Sequence, residues 1–468
     1  MSDLEYIFHP RSIAVVGASP QRGRTSAFLG SLIEFGYKGK LYPVHPKADE
    51  VSGLKAYPSI KDIPGKVDHV ICLIRAGLAP QLMAECITKG VKVIQFFSSG
   101  FSETGEEEGI RLEREIAEMA RQSNVRVLGP NCMGIYYPGM GLSYAPFFPR
   151  ESGSVGFISQ SGGISTDIVM LGAARGVRFS KVVSYGNACN ITEADLLEYF
   201  AGDPETRIII GYLEGTRDGK RLVQALRKAA RVKPVIILKG GRTEAGTKAA
   251  ASHTGALSGS GIIWKSLFRQ LGVIQISDMD ELIDLVLLFQ HLNPLQGRGV
   301  GLIGIGGGSS VLITDDFVEE GLVVPSFPEE LRRQLSEIVP REVDPGTSTR
   351  NPVDLSVLGW NPDILSRALQ AIAASDRIDS LLVHFGLQSG TLSTRLRKSV
   401  ATDIDALIRT RRNLNKPLVM VLHHDNVPEV IKFSSEIQES CSQADIPVFP
   451  SFNRAARALS RFVQHHER

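Results

Sequence analysis

The chain contains 468 residues, more than one hydrophobic core usually organises, so we expect about three domains. With 43% hydrophobic and 22% charged residues, its composition is that of an ordinary globular protein. A net charge of +2 gives no sign of a nucleic-acid-binding surface.

The five cysteines are scattered and no pair has CxxC spacing, which is typical of free thiols and predicts neither a disulfide framework nor a zinc site. The first residues, "MSDLEYIFHPRSIAVVG", lack the features of a secretion signal, and no apolar run is long enough to span a membrane. We therefore expect a cytoplasmic protein without metal ligands of its own.

Strands and helices alternate along the chain. Short β-branched runs are followed by glycine-rich turns and then by helical stretches, which predicts an α/β fold with parallel sheets throughout. The predicted strands cover 13–16, 70–74, 91–97, 207–211, 235–238, 381–385 and 418–422, and the clearest helices cover 106–122 and 222–232.

Three glycine-rich segments look like the starts of domains. They are "SIAVVGASPQRG" from Ser12, "GSVGFISQSGGISTDIVML" from Gly153 and "RGVGLIGIGGGSSVLITDD" from Arg298. The second and third align without a gap, and we predict domains over 1–135, 150–292 and 298–468. A glycine turn before a helix favours anions, because unpaired N–H groups and the helix dipole both point at the ligand. A purely structural turn is the alternative.

The first glycine-rich segment is not typical of a dinucleotide site. "VVGASPQRG" lacks the GxGxxG spacing, and the second strand ends in "LYPVHPK" where an NAD-binding protein carries an acid. Lys47 in that position suits a phosphorylated ribose, as in NADP or coenzyme A. A solvated surface lysine is the other interpretation.

A further glycine-rich string, "GRTEAGTKA", resembles a P-loop at first sight. A P-loop needs Gly-Lys-Ser/Thr, so that the lysine reaches the phosphates and the hydroxyl binds magnesium. Here Gly246, Thr247 and Lys248 stand in a different order. We therefore predict no ATP site at this string.

His253 lies in "AAASHTGALSGSG", a stretch of small residues. A core histidine would have bulky neighbours, and a metal-binding histidine would have a second ligand three or four residues away. A slim segment would instead let an imidazole pass close to the backbone and move. Imidazole is a good nucleophile near neutral pH, because a large fraction of it is unprotonated.

Nine strings in chain order add a family resemblance: "SIAVVGAS", "GYKGKLYPVHPK", "GFSETGEEEG", "GPNCMGIYYP", "ISQSGG", "YLEG", "KGGRTEAGTKAAASHTGALSGS", "GGGSSVLITDDFVEEGLVVP" and "NPVDL". Together they resemble the α-subunit of ADP-forming acyl-CoA synthetases, in the succinyl-CoA synthetase superfamily. The resemblance implies a Rossmann-like CoA-binding domain followed by two flavodoxin-like domains. It also implies interconversion of acyl-CoA, ADP and phosphate with carboxylate, CoA and ATP, through acyl phosphate and phosphohistidine.

The resemblance implies a role for individual residues as well. His253 matches the histidine that is transiently phosphorylated, and Glu214 matches the glutamate that orients it. Two sets of residues match the helix N-termini that hold phosphate in this family. They are Ser161, Gly162 and Gly163 in the first set, and Gly307, Gly308 and Ser309 in the second. Residues in the coenzyme A segments are Gly17, Ala18, Ser19, Lys47, Ser99 and Asn131.

The sequence departs from the family pattern at three positions. Asn190 and Gly261 stand where an aspartate is common, and Arg75 stands where a small residue and proline are expected near coenzyme A. These departures concern the acyl substrate and the cofactor contacts rather than the phosphohistidine step.

No string resembles an ATP-grasp module, so the resemblance implies that ADP or ATP with Mg²⁺ binds a separate β-subunit, in an α2β2 assembly. Two alternatives remain open at this stage. One is a non-catalytic module that binds CoA or acyl-CoA and regulates a partner. The other is an NADP-dependent oxidoreductase, which Lys47 would suit but for which no hydride-transfer residues are evident.

Overall fold

The computed structural model describes residues 4–20, 24–247, 260–304, 307–339, 348–355, 361–387 and 394–467. These residues form an α/β fold with three mainly parallel sheets, as the alternation of strands and helices predicts. The chain divides into two compact units, Met1–Ala173 with Val177–Leu282, and Ala174–Gly176 with Ile283–Arg468. The first two sheets lie in the first unit and the third sheet lies in the second.

The first sheet is parallel and five-stranded, in the order β2-β1-β5-β6-β7. A short antiparallel pair, β3 and β4, follows β2. The strands are β1 Ser12–Val16, β2 Lys40–Val44, β3 Glu50–Val51, β4 Leu54–Lys55, β5 His69–Cys72, β6 Val93–Phe96 and β7 Arg126–Leu128. The α-helices are α1 Glu5–Phe8, α2 Arg24–Glu34, α3 Ala79–Lys89 and α4 Glu107–Arg121.

Helix α4 shows why these segments fold as they do. Leu112, Ile116 and Ala120 recur at four-residue spacing and are buried, while the charged residues between them mostly face outwards. The strands read as continuous apolar runs because helices cover both faces of a parallel sheet. All five residues of β1 are accordingly buried.

The second sheet has six strands in the order β13-β12-β11-β9-β10-β8, and only the edge strand β8 is antiparallel. Its strands are β8 Gly134–Tyr136, β9 Val155–Ser159, β10 Phe179–Ser184, β11 Ile208–Leu213, β12 Val235–Lys239 and β13 Ile274–Ile276. The helices of this region are α5 Gly162–Ala174, α6 Glu193–Gly202, α7 Gly219–Ala230, α8 Gly261–Leu271 and α9 Met279–His291.

The third sheet is parallel, in the order β14-β15-β16-β17. Its strands are β14 Val300–Ile303, β15 Ser380–Leu387, β16 Leu418–His424 and β17 Val448–Phe449. Its helices are α10 Gly307–Glu319, α11 Glu329–Ile338, α12 Pro362–Ala373, α13 Thr394–Arg411, α14 Pro428–Gln443 and α15 Phe452–His466. Val323 and Val353 form isolated parallel bridges along the other side of β14.

Each sheet reverses its strand order next to the first of its parallel strands. In the first sheet β1 lies between β2 and β5, and in the second β9 lies between β10 and β11. In the third, β14 lies between the Val353 segment and β15. Ligands of open α/β sheets bind outside the carboxyl ends of the strands at such a reversal. The fold therefore predicts three ligand-binding edges.

None of the helices in the described ranges is both long and apolar enough to cross a bilayer.

Candidate functional site

The coenzyme A candidates lie at the carboxyl edge of the first sheet. Gly17 follows β1 directly with φ +87°, and a Cβ there would lie 2.8 Å from Ile74 Cγ2, so both conformation and space require glycine. Ala18 is fully buried behind Gly17, and Ser19 is half-buried. The predicted residues after β1 therefore lie where the strand order reverses between β1 and β5.

Lys47 lies at the same edge, past the end of β2. The Nδ1 atom of His45 accepts hydrogen bonds from the backbone N–H of Lys47 at 3.2 Å and of Ala48 at 2.9 Å, which fixes the turn. The side chains of Lys47 and of Arg75, which follows β5, are both exposed. Two cations thus lie at this edge, and Arg75, the residue that departs from the family pattern, is one of them.

Ser99 and Asn131 follow the neighbouring strands β6 and β7. Ser99 is exposed, and the loop after it is held by Glu103, whose Oε1 accepts from the backbone N–H of Gly100 at 2.6 Å. Asn131 adopts φ +57° and donates its backbone N–H to Ser98 O at 3.1 Å. All six predicted coenzyme A residues therefore lie at one sheet edge.

Asn187, which the sequence analysis did not single out, connects this edge to the second sheet. Its buried Nδ2 donates to Glu103 Oε2 at 2.6 Å and to Glu113 Oε2 at 2.8 Å. Arg217 offsets the charge by donating to the other oxygen of Glu113 at 2.5 Å. One amide thus holds two carboxylates from the first sheet's region against the loop that follows β10.

The first glycine turn, residues 160–163, joins β9 to α5. Ser161 Oγ accepts the backbone N–H of Ile164 at 3.3 Å and so caps the helix. A Cβ on Gly162 would lie 2.6 Å from Met133 Cγ, so packing requires this glycine. A Cβ on Gly163 would meet nothing nearer than Ser161 Oγ at 3.9 Å. Since packing does not require glycine at 163, close approach of a ligand to the backbone N–H groups would explain it.

Glu214 lies beside this turn, because β11 pairs with β9. The side-chain carbonyl of Gln160 accepts the backbone N–H of Glu214 at 2.7 Å and of Gly215 at 3.1 Å. We call these two hydrogen bonds the Gln160 clamp. It brings together the "QSGG" and "YLEG" strings, although Gln160 and Glu214 are 54 residues apart in the sequence.

The carboxylate of Glu214 is buried within a small polar cluster. Glu214 is 5% exposed, and its Oε1 accepts the hydroxyl of Tyr212 at 3.1 Å. The ammonium of Lys239, 1% exposed, donates to the backbone carbonyls of Glu214, at 2.6 Å, and of Gly240. Burial lowers the pKa of Lys239 to about 8, and the charge of Glu214 opposes that shift.

The sequence analysis assigned no individual role to Gln160 or Lys239, although each left a signal. Lys239 ends the buried strand "VIILK", where a charged residue interrupts an apolar run. Gln160 begins the glycine turn, next to small residues. A long amide side chain at such a position indicates a buried hydrogen-bond partner. Tyr212 could not be distinguished from an ordinary strand residue.

The second glycine turn lies between β14 and α10, and the structure describes its residues 304 and 307–310. Gly304 has φ +86° and donates its N–H to Val353 O at 3.0 Å, so "NPVDL" lies beside the turn. Gly307 and Gly308 open α10 and Ser309 is exposed on it. The predicted phosphate residues of this turn thus begin a helix, as those of the first turn do. His253 lies outside the described residues.

The comparisons with known proteins match families over two ranges. A model described as a CoA binding domain matches residues 11–138, and one described as a succinyl-CoA ligase like flavodoxin domain matches residues 152–289. These ranges hold the coenzyme A candidates, the first glycine turn, Glu214 and His253.

Named relatives match over three quarters of the chain or more. The α subunit of ADP-forming acetate–CoA ligase I from Pyrococcus furiosus is 36% identical, over 98% of this chain and 96% of that one. The ADP-forming acetate–CoA ligase of Methanocaldococcus jannaschii is 38% identical over 75% of this chain, which corresponds to 49% of that longer protein.

A solved structure agrees with these relatives. The dinucleotide forming acetyl-coenzyme A synthetase 1 of Ca. Korarchaeum cryptofilum, in complex with phosphate and ADP, matches with a TM-score of 0.84 and 32% identity. The match covers 100% of this chain and 98% of that one.

Proposed function

The chain belongs to the ADP-forming acetate–CoA ligases, a family of acid–thiol ligases, and on that premise we propose how it divides the reaction with a partner. The chain is a subunit of an ADP-forming acyl-CoA synthetase with coenzyme A as a substrate, and a non-catalytic regulatory role is not favoured. The names of its relatives as α subunits imply a partner subunit.

In the proposed reaction, an oxygen of phosphate attacks the acyl carbon of acyl-CoA, and the CoA thiolate leaves to give acyl phosphate. An imidazole nitrogen of His253 then attacks phosphorus, and the carboxylate leaves. Finally an oxygen of the ADP β-phosphate takes the phosphoryl group from His253, which gives ATP. Glu214 orients the imidazole and offsets the positive charge that develops on it.

The Gln160 clamp is the observation that carries this proposal. It holds a helix N-terminus, which favours a phosphoryl group, beside a buried carboxylate, which favours an imidazolium. A phosphohistidine intermediate needs both. The open space at Gly163 supports the approach of a phosphoryl oxygen to the backbone N–H groups of the turn.

Coenzyme A is proposed to bind at the edge of the first sheet, with its phosphates near Lys47 and Arg75. Both side chains are exposed at the edge where the strand order reverses, which is where open α/β sheets bind ligands. Lys47→Ala should weaken coenzyme A binding about fivefold, a loss of the size expected for an exposed charge pair. In calorimetry the variant should bind 3′-dephospho-CoA as well as the wild type does, and equal weakening for both ligands would contradict the assignment to the 3′-phosphate.

The nucleotide is proposed to bind, with Mg²⁺, an ATP-grasp β-subunit in an α2β2 assembly. The match spans about half of the Methanocaldococcus enzyme, whose name does not mark it as a subunit. The remainder of such a longer protein would supply what the partner supplies here. The mismatched P-loop order at Gly246–Lys248 is consistent with a nucleotide site elsewhere.

Labelling with radioactive acetyl phosphate tests the relay on this chain. The wild type should acquire label that is labile in acid and stable in base, as expected of a phosphoramidate, and His253→Ala should acquire none. His9→Ala, which removes an exposed histidine at the end of α1, serves as the matched control and should label normally. Label that persists in His253→Ala would disprove the assignment.

A further inference from the structure

An apolar groove lies between helices α7 and α8, which both belong to the first compact unit. It encloses about 640 Å³, and its lining surface is almost entirely apolar. All the residues that line it are in the described part of the chain. The apolar side chains include Leu222 and Val223 from α7, and Ile263, Trp264 and Leu267 from α8. We call this feature the α7–α8 groove.

Helical spacing explains how the two walls form. On α7, Lys220, Val223 and Arg227 recur at three- and four-residue spacing and so lie in one row along the helix. On α8, Ile263 and Leu267 are four residues apart and lie in a second row. A trough between two such rows fits a third helix, whose own apolar residues recur at the same spacing.

Helix α8 exposes large apolar side chains at this groove. Ile262 is 79% exposed and Ile263 is 67% exposed, and only Ile263 lines the groove. Trp264, the next residue, is buried, and its ring centroid lies 5.4 Å from that of Phe268. Exposed isoleucines beside an apolar groove are typical of a surface that binds another protein.

The rim of the groove is positively charged. The structure describes both helices in full, and they carry six cations and no acid: Lys220, Arg221, Arg227, Lys228, Lys265 and Arg269. The helix dipole favours Arg227 and Lys228, which lie in the last turn of α7, but it disfavours Lys220 in the first turn. Lys220 and Arg227 line the groove itself. An acidic ligand would therefore offset an otherwise unfavourable arrangement of charge.

This charge discriminates between three candidate occupants. A second copy docked through the same surface would place the cations of α7 and α8 against each other. Residues 248–259 of this chain, "KAAASHTGALSG", contain a lysine and no acid, so the rim does not favour them. A helix of another chain, with acidic residues on either side of an apolar ridge, matches both the groove and its rim.

The groove adjoins the polar cluster around Glu214. Thr216 lines the groove two residues beyond Glu214, and its hydroxyl donates to Glu193 Oε1 at 2.5 Å. The ammonium of Lys239, which donates to the carbonyl of Glu214, lies 5.0 Å from the centre of the Trp264 ring. A chain bound in the groove would therefore lie next to the cluster that the proposed function assigns to phosphoryl transfer.

We infer that the α7–α8 groove binds an acidic amphipathic helix of the partner subunit. This inference rests on the proposed function, which assigns the nucleotide to a separate chain. Ile263 and the other apolar side chains of the groove contact the apolar ridge of that helix, while Lys220 and Arg227 pair with its carboxylates. Because the groove adjoins Glu214, this docking holds the partner close to the phosphoryl-transfer site.

Calorimetry of the full chain with the separately purified ATP-grasp subunit tests the groove through two matched pairs of variants. Ile263→Ser should weaken binding about thirtyfold, the scale of a central apolar contact, whereas Ile262→Ser, outside the groove, should change it less than about twofold. Arg227→Glu should weaken binding about tenfold at low salt and less at high salt, whereas Lys228→Glu, also outside the groove, should change it less than about threefold. All four side chains are exposed in the wild type, so the variants should fold.

The outcomes separate the groove from the proposed function. Unchanged binding by Ile263→Ser, or equal effects within both pairs, would overturn the inference while leaving the partner subunit in place. Absence of binding to the wild type would instead reject the separate nucleotide subunit, and the inference with it.

Photo-cross-linking identifies the occupant directly. Benzoylphenylalanine in place of Ile263 should cross-link the full chain to an acidic helix of the ATP-grasp subunit, and mass spectrometry of the cross-linked peptide identifies that helix. Cross-links to a second copy of this chain, or only to its own residues 248–259, would overturn the inference.

Discussion

The two glycine turns have the same strand–turn–helix pattern but different chemical surroundings. Beside the first turn lie a buried carboxylate, Glu214, and a buried ammonium, Lys239. Beside the second lies the ring of His384, whose Nδ1 is 3.4 Å from Gly304 O and whose Nε2 is 3.1 Å from His423 Nδ1. A charged cluster suits a step in which an imidazole becomes positive, whereas burial lowers the pKa of His384 to about 4 and leaves the second turn beside an uncharged ring. Similar backbone is therefore set in two different electrostatic environments.

The two turns are also held in place differently. At the first, the Gln160 side chain binds the backbone N–H groups of Glu214 and Gly215. At the second, the backbone carbonyl of Val353 accepts the N–H of Gly304. The side chain of Asn351 accepts the N–H of Leu302 and donates to the carbonyl of Val300, both on β14. A single side chain thus aligns the first turn, while a flanking segment aligns the second.

Glu214→Gln should have the largest effect, because it removes the charge that distinguishes the first turn. Formation of phosphohistidine from acetyl phosphate should slow about a hundredfold, the scale of losing one positioned electrostatic partner. Rapid-quench labelling measures the rate. Glu198→Gln, on the same unit but half-exposed on α6, should leave the rate unchanged, and a normal rate in Glu214→Gln would remove the basis for the comparison.

Gln160→Ala should disconnect the first turn from Glu214. Two buried N–H groups lose their acceptor, which costs about 2 kcal/mol and should speed hydrogen exchange of the Glu214 and Gly215 amides about thirtyfold. Gln160→Glu keeps an acceptor and should preserve their protection, but its negative charge should weaken phosphate binding. Exchange measured by NMR separates the two effects. Equal protection in Gln160→Ala and wild type would show that the clamp does not hold the turn.

Asn351→Ala is the corresponding change at the second turn. Asn351 makes three hydrogen bonds, from the N–H of Leu302 at 2.9 Å and to the carbonyls of Val300 at 2.8 Å and Pro325 at 3.1 Å. We expect about tenfold faster exchange of the Leu302 amide, while the amides of Glu214 and Gly215 stay protected. Loss of protection at both turns would mean that they are not independently aligned.

Lys239→Met, beside the first turn, should change how stability depends on pH. The pKa of Lys239 is about 8 in the folded chain and 10.5 in the unfolded chain, so the unfolded state binds more protons between these values. The wild-type free energy of unfolding should therefore rise with pH from about 8 to 10.5, by up to about 1.4 kcal/mol per unit. Urea unfolding of wild type and variant at each pH measures the difference, and identical pH profiles would contradict the burial of a charged Lys239.

The sequence predicted the alternation of strands and helices because parallel strands are buried on both faces and read as apolar runs. It also predicted both glycine turns, since their glycines and small residues are consecutive. The partners of the turns could not be predicted in the same way. Gln160 reaches Glu214 only because β9 and β11 are neighbours, and His384 reaches His423 only because β15 and β16 are in one particular register.

The predicted role of His253 remains a hypothesis of the family resemblance, because the residue lies outside the described part of the chain. The surroundings of Glu214 support that role in physical terms, since a buried carboxylate beside a helix N-terminus is the environment a phosphohistidine requires. The three-domain division likewise stays a prediction.

Product analysis with the highly purified chain alone tests the central claim most directly. The chain should convert acetyl-CoA and phosphate to acetyl phosphate and CoA, because both glycine turns belong to it. It should make no ATP from acetyl-CoA, ADP and phosphate until an ATP-grasp subunit is added. Sustained ATP synthesis that scales with the concentration of this chain, and that disappears in His253→Ala, would contradict the account by placing the nucleotide site on this chain.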